Sequence, residues 1–219
     1  MYEVFDDTSV QIILTLDPGD SIRHVAQRIH APYETVRQAV NTLEEAGFVQ
    51  YDDGLYLINQ TVRETVRQLA AINACVNPPS IDEAYVIPQF SDAVFAYTRI
   101  DAVYVWTQGG YQVGRDPDDY PLFLAVRDRD VEQWEEFLER FNLPVALSRQ
   151  PVQEIEGPLQ IVLESRTDFD IEWVEGYPVI PRDETIAYMQ EHFVHFQSAL
   201  AMLDRMYDDI EIDHEGTPS

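Results

Sequence analysis

The chain has 219 residues, 45% hydrophobic and 25% charged, and its 40 acidic residues outweigh 14 basic ones for a formal net charge of −26. That apolar share supports one or two folded domains, and the spread of carboxylates along the chain excludes a disordered acidic tail. A single cysteine, Cys75, excludes an internal disulfide and a cysteine-rich metal site, and no apolar run approaches the ~20 residues that cross a bilayer.

All 14 basic residues are arginine. A surface this acidic is expected of a protein kept soluble in high intracellular salt, where charges are screened within about 3 Å at 1 M. The composition therefore predicts a cytoplasmic protein of a halophile, with an acidic partner-binding or DNA-mimicking surface as the alternative. Residues 1 to 76 hold 11 acids and five arginines, whereas residues 77 to 219 hold 29 and nine, so the N-terminal part is the less acidic. The opening MYEVFDDTS has neither a basic stretch nor an apolar core, so no signal peptide is expected.

Thr8 to Leu16 can form a short first helix, closed by Asp17-Pro18-Gly19-Asp20, although its β-branched residues suit a strand equally well. Ser21 can cap a helix with Ile22, Val25, Ala26 and Ile29 on one face and Arg23, His24, Gln27 and Arg28 on the other. His30-Ala31-Pro32 interrupts it, because proline disfavours helical geometry in the residue before it yet fits the first turn of a new helix. The next helix places Val36, Val40 and Leu43 on one face and Tyr33, Arg37, Gln38 and Asn41 on others, with Gly47 as its C-terminal cap. Phe48 to Tyr51 and Leu55 to Ile58 then flank Asp52-Asp53-Gly54, a hairpin signal.

This order resembles the winged helix-turn-helix transcription regulators over about residues 8 to 76. The LEEAGFV run at Leu43 to Val49 is similar to that family's exit from the recognition helix. The resemblance implies double-stranded DNA as partner, entered by the helix starting near Tyr33. Tyr33, Thr35, Arg37, Gln38 and Asn41 are then candidate base or phosphate contacts, Arg37 suiting guanine and Gln38 or Asn41 adenine. Arg23 and Arg28 are candidates to steady the DNA backbone. Asp52 and Asp53 at the hairpin tip are wrong for phosphate, so the helix would carry the contact.

Asn59 to Ala74 reads as a connecting or dimerisation helix. The expected domains are residues 1–76, a stiff linker at 77–81 containing Pro78 and Pro79, an α+β domain over 82–210 and a tail over 211–219. In the second domain the residues predict a helix near Ser91 to Thr98, strands at Ala102 to Trp106 and Pro121 to Val126, and an amphipathic helix over Asp130 to Phe141. Leu159 to Glu164 and Phe169 to Val174 alternate like paired strands, Gly176-Tyr177-Pro178 turns, and Asp183 to about Tyr207 reads as one long closing helix.

The segment VYVWTQGGYQVGRDPDDYPLFLAV resembles the opening of the minimal nucleotidyltransferase fold, in which a strand ends in paired glycines and an Asp-x-Asp strand follows. That resemblance implies a degenerate nucleotide site at Gly109, Gly110 and Asp119. Pro121 stands where the second metal-binding carboxylate belongs, and Asp170 or Glu172 could supply a third, so catalysis would be lost. His192 and His195 share a helix face at i, i+3 without the further ligands a metal needs.

The expectation is an α+β protein: an N-terminal winged helix-turn-helix domain followed by a mixed α/β domain, acting as a homodimeric DNA-binding regulator rather than an enzyme. No cofactor, metal or membrane is expected, and a protein partner or small effector is expected at the C-terminal domain. The alternative is a protein-docking winged helix joined to an inert nucleotidyltransferase-like domain, as in an antitoxin or assembly factor.

Overall fold

The computed structural model describes residues 6–111, 120–148 and 159–207. The chain is α+β and divides into two compact units, Met1–Asp92 with Phe137–Leu143, and Ala93–Glu136 with Pro144–Ser219.

In the first unit α1 (Asp7–Thr15) is capped by Asp6, whose side chain accepts from the Ser9 amide, and buries Ile12, Ile13 and Leu14. Helix α2 (Ile22–Arg28) starts at Ser21, whose hydroxyl accepts from the His24 amide. It stops at His30, where φ is 52°. Helix α3 (Tyr33–Glu45) follows Pro32 and buries Val36, Ala39, Val40 and Leu43, packing on α1 and α2. Strands β1 (Val49–Tyr51) and β2 (Leu55–Leu57) pair antiparallel.

The hairpin is tied back to the loop before α2: Gly19 donates to Leu55 O at 2.9 Å and Leu55 donates to Asp20 O at 2.8 Å. Gly54 is required there, since its φ is +150° and a Cβ would stand 2.7 Å from Gly19 Cα. Helix α4 (Gln60–Val76) and the short α5 (Ile81–Val86) follow; a capping box of Ser80 and Glu83 starts α5. The unit thus runs past the proline pair, through α5, to Asp92.

The second unit is built on a six-stranded mixed sheet. Its strands are β3 (Phe95–Tyr97), β4 (Tyr120–Arg127), β5 (Val145–Leu147), β6 (Leu159–Arg166), β7 (Glu172–Val174) and β8 (Tyr177–Val179), in the order β5-β6-β4-β3-β8-β7. Helix α6 (Arg99–Trp106) packs on β4 and β8. Helix α7 (Val131–Arg140) buries Trp134 in this unit, while its last turn, from Phe137, belongs to the first unit and buries Leu138, both as its amphipathic spacing predicts.

Several expectations are corrected here. Residues 102–106 are helix, not strand. Ala102, Val103, Val105 and Trp106 are all buried, so the apolar residues form a continuous run, which periodicity cannot assign. Residues 95–97 are a strand, not part of a helix, buried between β4 and β8. Strands β6 and β7 are not partners: β6 runs parallel to β4 along its whole length, and β7 pairs with β8. The turn joining β7 and β8 is Glu175-Gly176, both at positive φ, and Tyr177 and Pro178 lie within β8. The expected long final helix is two, α8 (Arg182–Glu191) and α9 (Phe193–Met206). They break at His192, whose ring packs on Tyr188 at 4.6 Å between centroids.

Candidate nucleic-acid interface

Helix α3 turns its apolar stripe inward, so the residues between those positions face outward by geometry. Tyr33 is 50% exposed, and Thr35, Arg37, Gln38 and Asn41 are exposed beside it. Arg37, Gln38 and Asn41 therefore group on one solvent-facing side of α3, with Tyr33 and Thr35 at its opposite edges.

That surface contains a residue the sequence reading did not single out. Glu34 accepts two hydrogen bonds from Arg37, at 2.6 and 2.9 Å, and one from Gln38 at 3.2 Å. Hydrogen bonding from Arg37 holds the Glu34 carboxyl below the usual carboxylate range, and the same contact raises Arg37. Its i, i+3 spacing was legible in the sequence.

Arg23 is exposed on α2 and has no ion pair among the described residues. Arg28, expected beside it on the DNA backbone, is instead internal. Its side chain is 11% exposed, it donates to Asp20 Oδ2 at 2.6 Å and Oδ1 at 3.2 Å, and it also donates to the Thr15 carbonyl. Arg63 of α4 donates to Ile13 O and to Leu16 O, and burial lowers its pKa. Two guanidiniums thus satisfy the carbonyls that α1 leaves open at its C-terminal end. Asp20, 8% exposed, neutralises one of them, so Arg28 faces the core of this unit rather than a phosphate.

No protein-family model matches the chain, and neither do curated proteins or solved structures.

The second unit treats its glycines differently from the expectation. Gly109 and Gly110 close α6 rather than end a strand: Gly109 donates to Tyr104 O and Gly110 to Thr107 O, both at 2.9 Å. Both amides are engaged within that turn, and a Cβ on Gly110 would collide with Met202 Cε, so the pair serves helix closure and close packing. Asp119 lies outside the described residues. Asp170 and Glu172 are exposed, and Glu172 accepts from the Arg182 amide at 3.4 Å. Among the described residues no group of three or more His, Cys, Asp or Glu could hold a metal. His192 directs Nδ1 at the Tyr188 carbonyl, 3.0 Å away.

An ion-pair chain runs through the second unit. Arg99, at φ 52°, donates to Glu164 at 2.8 Å; Arg166 reaches both Glu164 and Glu184. Burial opposes ionisation of Glu164, but hydrogen bonds from both arginines outweigh it and hold its carboxyl below the usual range. The two cations are compensated within the chain, which makes the group a brace rather than an anion site. No helix among the described residues is long and apolar enough to cross a membrane.

Proposed function

We propose that the protein is a DNA-binding transcriptional regulator, with a winged helix-turn-helix in its first unit that reads duplex DNA, as a homodimer, through the outward face of α3. The observation that carries the proposal is that Arg37, Gln38 and Asn41 group on one exposed side of α3, with Tyr33 and Thr35 exposed at its two edges, while the opposite side packs on α1 and α2. Arg37 is the guanine-reading candidate, and Gln38 and Asn41 the adenine-reading ones. Arg23 is the outward cation that can steady a phosphate. The hairpin carries Asp52 and Asp53 at its tip and stays off the backbone. The host is a halophile, and the second unit supplies an effector- or partner-responsive body.

Glu34 sets the sign of the test. To bind a base, Arg37 must leave Glu34, and the carboxylate then stands near phosphates. Arg37→Ala should weaken binding to a genomic site recovered by pull-down in molar potassium chloride, and Glu34→Gln should strengthen it. Both effects are read by fluorescence anisotropy, with far-ultraviolet circular dichroism held constant. Unchanged affinity in both variants would move the reading to a protein-docking winged helix.

A further inference from the structure

Helix α4 is apolar on two sides. Val66 and Ala74 are buried in the first unit, while Leu69, Ile72 and Val76 are 61%, 62% and 75% exposed. The spacing of these three, i, i+3, i+7, aligns them in one stripe along the helix. Beside the stripe lies a groove of about 350 Å³ lined by Val10, Val66, Ala70, Ala74, Val86 and Phe90, and Leu69 belongs to both. Contiguous exposed apolar surface of this kind marks an interaction site.

Charge identifies the occupant. Residues 68 to 81 contain no charged side chain, in a chain of which a quarter is charged. Arg67, just before them, is held at home by Glu64 at 2.9 Å and Asp92 at 3.1 Å. Two copies of a chain carrying −26 repel wherever their carboxylates meet, so the segment each presents to the other's groove must be uncharged, as residues 68 to 81 are. A basic partner would be drawn to the acidic faces instead. The chain's own last twelve residues carry Asp208, Asp209, Glu211, Asp213 and Glu215, the same charge as the Asp7 and Glu83 that line the groove, and so are poorly matched to it.

We infer that α4 and this groove form the self-docking surface of a homodimer, the stripe of each copy seated along the groove of the other. A ridge beside a groove is self-complementary under two-fold symmetry, which closes the assembly at two copies. A 17-residue helix is about 25 Å long and ~10 Å across, too little alone for the ~800 Å² per partner of a stable interface. The adjoining groove widens the patch toward that size. The inference names the partner that the DNA-reading proposal assumes, and its test needs no DNA.

Light scattering coupled to size exclusion in molar potassium chloride should give twice the monomer mass. Ile72→Glu should raise the dissociation constant about thirtyfold or more, as loss of a hot spot with burial of a charge does. Val194→Glu, at a side chain 89% exposed on α9, should leave the dimer intact. Both sites are exposed enough to keep the fold, which circular dichroism checks. A wild-type monomer across the concentration range, or dissociation by Val194→Glu and not by Ile72→Glu, would overturn the inference.

Discussion

Arg28 decides between two roles that its sequence position allows, and its replacement separates them. In Arg28→Ala the Asp20 carboxylate, 8% exposed, would keep the Asp17 amide at 2.8 Å while losing both guanidinium contacts. His24 Nδ1 stands 4.0 Å away and is largely solvated. The Thr15 carbonyl would lose its donor as well. Removing one partner of a buried pair costs about 3–5 kcal/mol. The retained amide, and the exposure of Asp17, whose carboxylate Arg28 also reaches at 3.3 Å, place the loss near the lower end, about 3 kcal/mol, or about 12–24 °C in the midpoint of a unit this size. Arg28→Lys should recover little, because one ammonium cannot span both Asp20 oxygens and the carbonyl. Thermal unfolding followed by circular dichroism in molar potassium chloride measures the shift, with DNA affinity taken well below the mutant's midpoint. An unchanged midpoint with weakened DNA binding would refute the internal role and return Arg28 to the interface.

Other perturbations address the hairpin and the sheet. Gly54→Ala should cost about 2–3 kcal/mol, because backbone atoms of Gly19 at 2.7–2.9 Å cannot yield as a side chain would. Faster hydrogen exchange at the Leu55 amide, which donates to Asp20 O, would report the loosened hairpin, and unchanged protection would contradict it. Glu164 has a lowered folded-state pKa, so its contribution is complete above the ordinary carboxylate range and is lost as pH falls through the folded value. Glu164→Gln should therefore unfold earlier than wild type in denaturant at neutral pH, and the difference should shrink below about pH 4. A gap that persists in acid would place the effect in packing rather than charge.

How much was legible follows from how local each signal is. Helices α2 and α3 of the first unit are bounded by their own neighbours: Ser21 caps, Pro32 restarts, Gly47 at φ 79° closes, whereas α1 suited a strand equally well and α5 begins inside the expected linker. The outward face of α3 followed from helical spacing alone. The role of Arg28 did not, because it depends on a carboxylate eight residues earlier and on a carbonyl of another helix. In the second unit the pairings are remote in sequence, as when Tyr97 lies opposite Leu124 on one side and Val179 on the other. A three-residue strand with such partners carries no local mark. The helix over Arg99–Trp106 is buried nearly all round and so reads like a strand, and with it went the strand on which the nucleotidyltransferase resemblance relied.

The placement of the arginines bears on how an acidic chain could hold DNA at all. Of the five in residues 1 to 76, Arg28 and Arg63 brace α1, and Arg67 is tied to Glu64 and Asp92. Arg23 and Arg37 remain outward, and Arg37 must first leave Glu34. With Arg37 on a base, a dimer would neutralise about two phosphates through its two Arg23 side chains, and the logarithm of affinity should fall against that of salt with a slope near −1.8. Doubling the potassium chloride would lower affinity about three- to fourfold, against roughly a hundredfold or more for a reader with eight phosphate contacts. Most of the affinity would have to come from base edges and from Tyr33, Gln38 and Asn41. Titration of a specific site from 0.5 M potassium chloride upward reads the slope directly. A slope of about −7 or steeper would mean that phosphate contacts lie elsewhere on the chain, and the assignment of the α3 face would fail.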